Sequence, residues 1–242
     1  MQIKSKYLAK ERILSVNLEN SWEKAEFFLK KDPVLKAWFQ KVPFPTFLPE
    51  NFLQKESKRP ENLEIYFELL RTIIAQQLST KSAQSILEKF KLENGGDLPM
   101  PERLLEMPEE RLKKCGLSSQ KISCLRTVSE KSLQNYFPTM AEALAMEAPL
   151  SQKLLTDLRG IGPWSADMVM LFALGHPDIF AGGDYGVREG YRLIYGEEKQ
   201  FSPKILAEKT AIFSPYRSAL TYYCWEVKSF VEKGQKISED KR

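Results

Sequence analysis

The residues best suited to chemistry lie between Leu158 and Asp184. Leu158-Arg159-Gly160-Ile161-Gly162 is followed by Pro163, which fits the first position of a new helix because the N–H it lacks would have no helical partner there. Gly160 and Gly162 tolerate positive φ, so a chain leaving one helix can reverse within a few residues and start another. Such a turn points backbone N–H groups outward at a helix N-terminus, where the positive end of the dipole also lies, and so suits a phosphate. At the far end, Gly182-Gly183 leads into Asp184, a carboxylate at the head of a helical run from Tyr185 to Tyr195. The stretch ties an anion clamp to one acid. Asp184 also has an ordinary reading as an N-cap, a role that Asn would fill as well.

Composition narrows the classes. A chain of 242 residues can form one large domain or two lobes. Its net charge of +4, from 36 basic and 32 acidic residues, permits an acidic partner without demonstrating one. No apolar run approaches the ~20 residues of a membrane span. Met1 to Arg12 is too charged for a secretory signal, so a soluble intracellular protein is expected, with no membrane partner. Cys115, Cys124 and Cys224 are scattered, which fits a reducing compartment and neither a zinc site nor a four-cysteine iron–sulfur cluster. His176 is the single histidine and precedes Pro177 in a polar connector, where a loop role is the plainer reading.

The elements that must position these residues read as helical almost throughout. Ser21 can cap a helix with Trp22, Ala25, Phe28 and Leu29 on one face, and Asp32-Pro33 opens a second with Leu35, Trp38 and Phe39. Pro43-Phe44-Pro45-Thr46-Phe47-Leu48-Pro49 is held extended by three prolines, with Phe44 and Phe47 either in the core or forming a pocket wall. From Asn62 to Gln77 an amphipathic helix carries Leu63, Tyr66, Phe67, Leu70, Ile73 and Ile74. It meets the next helix, capped by Ser79 or Thr80 and ended by Gly95-Gly96, at the corner Gln76-Gln77-Leu78-Ser79. Two amides and a leucine there can be a simple helix break, or can enter a DNA minor groove and push a wedge between bases.

Pro101, Pro108 and Ser118 or Ser119 start further helices, and Lys113, Lys114 and Lys121 near them read as a solvated charged face. Met140 to Met146 is a short helix, and Ser151 to Leu158 is the first arm of the hairpin. Ser202-Pro203 opens another helix, and Ser214-Pro215 a long last one bearing Tyr222, Trp225, Val227 and Phe230, with a charged tail from Lys233. No strand alternation is evident.

Leu158-Arg159-Gly160-Ile161-Gly162-Pro163-Trp164-Ser165-Ala166, then a short apolar helix, a Gly-rich loop and Asp184, resembles the helix-hairpin-helix/Gly-Pro/Asp superfamily of DNA glycosylases. Ile74-Ala75-Gln76-Gln77-Leu78-Ser79 resembles that family's minor-groove motif. The stretch from Ala173 to Arg188 resembles its catalytic-aspartate region. Ser214-Pro215-Tyr216-Arg217-Ser218 through Trp225 is similar to the closing helix of the alkylpurine branch. Four motifs in order cover about residues 60 to 230.

The resemblance implies an all-α fold of two lobes with the active site in the cleft between them. The inner helical lobe would be residues 60–168, with the hairpin at about 151–174, and 1–59 plus 169–242 would form the second. Trp164 occupies the place where strand-cutting relatives carry a nucleophilic lysine, which implies a monofunctional enzyme of base excision repair. With no C-terminal cysteine cluster, the chain resembles the 3-methyladenine DNA glycosylases, bacterial inducible type and yeast relatives. Asp184 would be the catalytic carboxylate, acting on a flipped-out cationic purine such as 3-methyladenine or 7-methylguanine without any catalytic cofactor.

Trp164 and Tyr185, then Phe44, Phe47, Trp38 and Trp225, are the aromatic candidates for the base pocket. Trp164 reads equally well as a core residue. Gln76, Gln77, Leu78 and Ser79 would hold the groove, and Gly160, Ile161, Gly162 and Ser165 the phosphate. The carbonyls of Thr156, Leu158 and Ile161 would bind a K⁺ or Na⁺. The partner would be double-stranded DNA containing a damaged base, met by a monomer. Two alternatives are a glycosylase for uracil, mismatched thymine or hypoxanthine, and a non-catalytic protein of the same fold that binds DNA structures.

Overall fold

The computed structural model describes residues 22–45 and 63–239, and among these the regular structure is entirely helical. Ser21, Phe47 and the stretch to Glu19 lie outside the described residues, as does Asn62. The contacts divide the chain into two compact units, Lys58–His176 and the two ends together, Met1–Ser57 with Pro177–Arg242. No helix of the described residues is long and apolar enough to cross a membrane.

The first unit is built on α3 (Glu64–Ala75), whose Ile65, Tyr66, Phe67, Leu69, Leu70, Ile73 and Ile74 are all buried. Apolar residues on nearly every side let three helices pack on it: α4 (Thr80–Glu93), α7 (Ser119–Leu133) and α10 (Pro163–Phe172). Burying one such side chain contributes roughly 1.5–3 kcal/mol. Tyr66 keeps its hydroxyl satisfied in that core by bonding to Pro99 O at 3.1 Å, with Ser129 Oγ at 3.3 Å. Between α4 and α7 run α5 (Pro101–Glu106) and α6 (Glu109–Lys114), then after α7 come α8 (Met140–Ala145) and α9 (Ala148–Thr156). Ser79 caps α4, Ser118 caps α7, and Thr139 with Glu142 forms a capping box on α8.

The second unit holds α1 (22–29), α2 (Pro33–Phe39), α11 (Tyr185–Tyr195), α12 (Pro203–Lys209) and α13 (Arg217–Glu239). Helices α11 and α13 make its main contact. They cross at Gly190, where an added Cβ would collide with the Cys224 carbonyl, so only glycine permits that approach. An aromatic cluster of Trp22, Phe39, Phe44 and Tyr223 fills the space by α2, with centroids 4.5 to 6.1 Å apart.

Several boundaries differ from the sequence-based expectation. Helix α9 starts at Ala148, because Pro149 is tolerated in a first turn, and ends at Thr156, leaving Leu158 in the turn. Helix α13 begins at Arg217, since Ser214 closes a short 3₁₀ turn, Ala211–Phe213, ahead of it. The expected tail from Lys233 continues that helix to Glu239. Phe230, expected on its apolar face, is 51% exposed.

Candidate functional site

Asp184 is the N-cap of α11, and its Oδ1 accepts 2.9 Å bonds from the Val187 N–H and from the Trp225 indole N–H. The capping and the chemical readings therefore coexist in one half-buried carboxylate. The approach to it, residues 177–184, is laced to one face of α13. Asp178 takes the Arg217 guanidinium at 2.7 and 2.9 Å and the Ser214 hydroxyl at 2.8 Å. Ser218 Oγ accepts from the Ile179 N–H at 2.8 Å, and Thr221 Oγ1 accepts from the Ala181 N–H at 3.1 Å while donating to Ile179 O at 2.9 Å. Trp225 completes the series at Asp184.

Residues 218, 221 and 225 share a helix face by their spacing of three and four. Burial alone would raise the Asp178 carboxyl, but its bonds to Arg217 and Ser214 outweigh that and hold it below the usual carboxylate range. From the other side, Arg188 Nη1 donates to Gly182 O at 3.2 Å and Gly183 O at 2.9 Å, closing the Gly-rich loop just before the acid. The sequence reading missed Arg188, Ser218 and Thr221. The spacing of Ser218, Thr221 and Trp225 at three and four along α13 was the available signal, though the helix carries other polar residues such as Glu226 and Lys228.

In the other unit the hairpin joins α9 to α10. Gly160 has φ +92°, and an added Cβ would lie 2.8 Å from Cys124 Sγ, so both conformation and space demand glycine. Gly162, expected to share the positive φ, is instead extended at φ −95° and serves as the N-cap of α10. Ile161, expected to touch phosphate, is 4% exposed and its N–H donates to Leu158 O at 3.0 Å. Ser165, expected to touch phosphate, is 2% exposed and accepts a 2.9 Å bond from Gln76 Nε2. Gln76, expected in the groove, spends its amide on Ser165 and on Gly160 O at 2.9 Å. Gln77, Leu78 and Ser79 remain at the surface. Lys121 is no solvated charge: its Nζ donates to Ile74 O at 2.7 Å and Gln76 O at 3.0 Å.

The aromatic candidates separate by environment. Tyr185 is 62% exposed beside Asp184, and Trp164, the second residue of α10, is half-buried while Ser165 to Leu171 are buried. Trp225 is half-buried and tied to Asp184. Phe44 is a core residue rather than a pocket wall, because Trp22, Phe39 and Tyr223 surround its ring. Trp38 is structural too: its indole donates to Ile194 O at 2.9 Å, tying α2 to the end of α11. Phe47 lies outside the described residues.

Among the described residues, no group of three or more His, Cys, Asp or Glu could hold a metal ion. The carbonyls expected to bind an alkali cation are hard oxygen donors: Thr156 is the last residue of α9, where carbonyls lose their helical partners, and Leu158 and Ile161 lie in the turn that follows. The Leu158 carbonyl accepts the Ile161 N–H at 3.0 Å and has a second lone pair to offer.

The sequence pattern of the HhH-GPD superfamily of base excision DNA repair proteins matches residues 70–215. DNA-3-methyladenine glycosylase 1 of Schizosaccharomyces pombe is 30% identical over 179 residues, 74% of this chain and 78% of the relative. Among solved structures, the S. pombe 3-methyladenine DNA glycosylase in complex with abasic DNA superposes with a TM-score of 0.64 at 30% identity, covering 73% of this chain and 87% of that one. A DNA-3-methyladenine glycosidase from Bacillus halodurans gives 0.60 at 28% identity, covering 84% and 93%. The matched region takes in α10 with its hairpin, the Gly-rich loop and Asp184, the same residues that the geometry marks out. The chain belongs to the HhH-GPD superfamily of base excision DNA repair proteins, in the branch of the 3-methyladenine DNA glycosylases.

Proposed function

We propose that this protein is a monofunctional DNA glycosylase that hydrolyses the N-glycosidic bond of alkylated purines of the 3-methyladenine and 7-methylguanine type in duplex DNA. The observation that carries the reading is the aimed carboxylate of Asp184, fixed by a backbone N–H and by the Trp225 indole. Breaking the bond from base to C1′ leaves the bonding electrons on the base and builds positive charge on the sugar. A fixed carboxylate stabilises that charge more than a mobile one, because no reorganisation is needed as the charge develops. It can also orient the water that adds to C1′ and take up its proton.

An alkylated purine is already cationic and departs as a neutral base, so the step needs no strong general acid, redox group or transferred group. Tyr185, exposed beside Asp184, offers an aromatic face that would stack on the cationic base. Trp164 supplies no amine to attack the sugar, which favours hydrolysis without strand cleavage. Gly160 and Gly162 would present backbone N–H groups to a phosphate, with a K⁺ or Na⁺ on the Thr156, Leu158 and Ile161 carbonyls adding positive charge to the same grip.

The test is base release from duplexes carrying 7-methylguanine, 3-methyladenine, uracil, mismatched thymine or hypoxanthine, with wild type and Asp184→Asn. Asn caps a helix as well as Asp does, so the variant should fold. Its single-turnover rate on methylated purines should fall by about 10²- to 10³-fold. Equal rates in the two proteins would rule out the carboxylate mechanism, and release of uracil alone would rule out the substrate class.

A further inference from the structure

At Gln76 helix α3 ends, and the side chain turns back toward its own unit. Nε2 donates to Gly160 O and to Ser165 Oγ, each at 2.9 Å, which uses both amide hydrogens on the hairpin. Lys121, arriving from α7, donates from Nζ to Ile74 O at 2.7 Å and to Gln76 O at 3.0 Å. Helix ends leave such carbonyls without intrahelical donors, and an ammonium there also meets the negative end of the α3 dipole. Desolvation lowers the Lys121 pKa, as expected of a cation spent on internal carbonyls. Directly after these two anchors Gln77 stands at φ +57°, a left-handed conformation unfavourable for a residue with a Cβ. Leu78 follows, 39% exposed. Ser79 then restarts the chain as the cap of α4. The corner is thus a strained turn, pinned on its entry side to the hairpin and to α7, with an exposed leucine at its tip.

We infer that Gln76 and Lys121 are positioning residues that lock the Leu78 corner to the hairpin, so that insertion of Leu78 into the base stack and the grip on the phosphate occur in one fixed register. This rests on the glycosylase reading. A wedge on a loose loop would spend part of its insertion energy on ordering that loop, and the tether does the ordering before DNA arrives.

A double-mutant cycle separates this role from general support of the fold. The substrate is a duplex with one 7-methylguanine and a 2-aminopurine beside it, so that base release and unstacking are read independently. Gln76→Leu should lower the single-turnover rate and the unstacking amplitude by about 10-fold when Leu78 is present, but by less than about twofold in a Leu78→Ala background, because coupled residues fail to add. Lys121→Met should follow the same pattern and leave the salt dependence of binding unchanged, whereas a lysine on a phosphate would lower that slope by about one when removed. With two independent variants, loss of folding in one leaves the other decisive.

Equal losses in both backgrounds, or a reduced salt slope for Lys121→Met, would overturn the tether while leaving the glycosylase reading intact. A Leu78→Ala protein with wild-type unstacking would overturn it by removing the wedge. Wild-type protein that releases no base from any lesion would instead defeat the underlying reading, before any variant is compared.

Discussion

At the scale of single residues, the decisive contact is the one from the Trp225 indole to Asp184. The ring was expected to offer a face to the base, and the structure shows that its N–H also aims the acid. Trp225→Phe keeps most of the apolar surface and deletes only that donor. A hydrogen bond to a charged group contributes about 1.5–3 kcal/mol, so kcat should fall by roughly 10- to 100-fold with KM little changed. The Val187 N–H still holds Oδ1 in that variant, which keeps the loss short of that for Asp184→Asn. Steady-state rates on a 7-methylguanine duplex check the split; a KM effect without a kcat effect would return Trp225 to the base pocket.

At the scale of elements, the α11/α13 crossing decides where the acid stands, because Asp184 heads one helix and its indole partner rides on the other. Gly190 is the contact point, and its substitution by Ala sets two effects against each other. Ala is the better helix former by about 1 kcal/mol. Overpacking a close helix contact costs typically about 1–3 kcal/mol, and here the obstacle is the Cys224 backbone carbonyl, which cannot swing aside as a side chain would. The steric effect should win. Gly190→Ala should lower the denaturant midpoint by the equivalent of about 2 kcal/mol and reduce base release as well, since parting the two helices parts Trp225 from Asp184. Unchanged stability and activity would mean that the crossing has slack.

At the scale of the molecule, one buried carboxylate, Asp167, and one half-buried, Glu68, give the fold an unusual pH response. Burial pushes Glu68 up to about 7, with Arg71 and Thr72 only partly offsetting it, and pushes Asp167 up to about 6 against a single bond from Gln152. Their ordinary values are 4.5 and 3.8. Because the folded pKa values lie above the unfolded ones, the folded state binds more protons, so stability falls as pH rises from about 4 to about 7. At about 1.4 kcal/mol per pKa unit, each group can cost on the order of 3 kcal/mol above pH 7.

Asp167→Asn, which keeps the shape and the Gln152 partner, should raise Tm at pH 7.5 and flatten the Tm profile between pH 4 and 6. Glu68→Gln should flatten it between about pH 4.5 and 7. A wild-type Tm that climbs over this range would show that neither carboxylate is desolvated as described.

The sequence by itself determined the helix inventory, the order of the motifs and the place of Asp184 at the head of α11. Helix starts are chemically local: Asp32, Ser79, Ser118, Asp184 and Ser202 each cap the helix that follows by bonding N–H groups two or three residues on, so a short window suffices to read them. The run from Tyr185 to Tyr195 was legible to the residue because Asp184 caps it and Gly196 ends it in the left-handed conformation.

What only the tertiary structure decided is where each polar side chain sends its bonds. Gln76 bonds a residue 89 positions away, Trp225 one 41 away, and Lys121 one 45 away. Nothing in a local window distinguishes a glutamine that reads a groove from one that fastens a loop. A lysine on a solvated face and a lysine that caps a distant helix likewise share the same neighbours in sequence. Periodicity says which face of a helix is apolar, while the partner that a buried donor finds depends on which elements the core brings together.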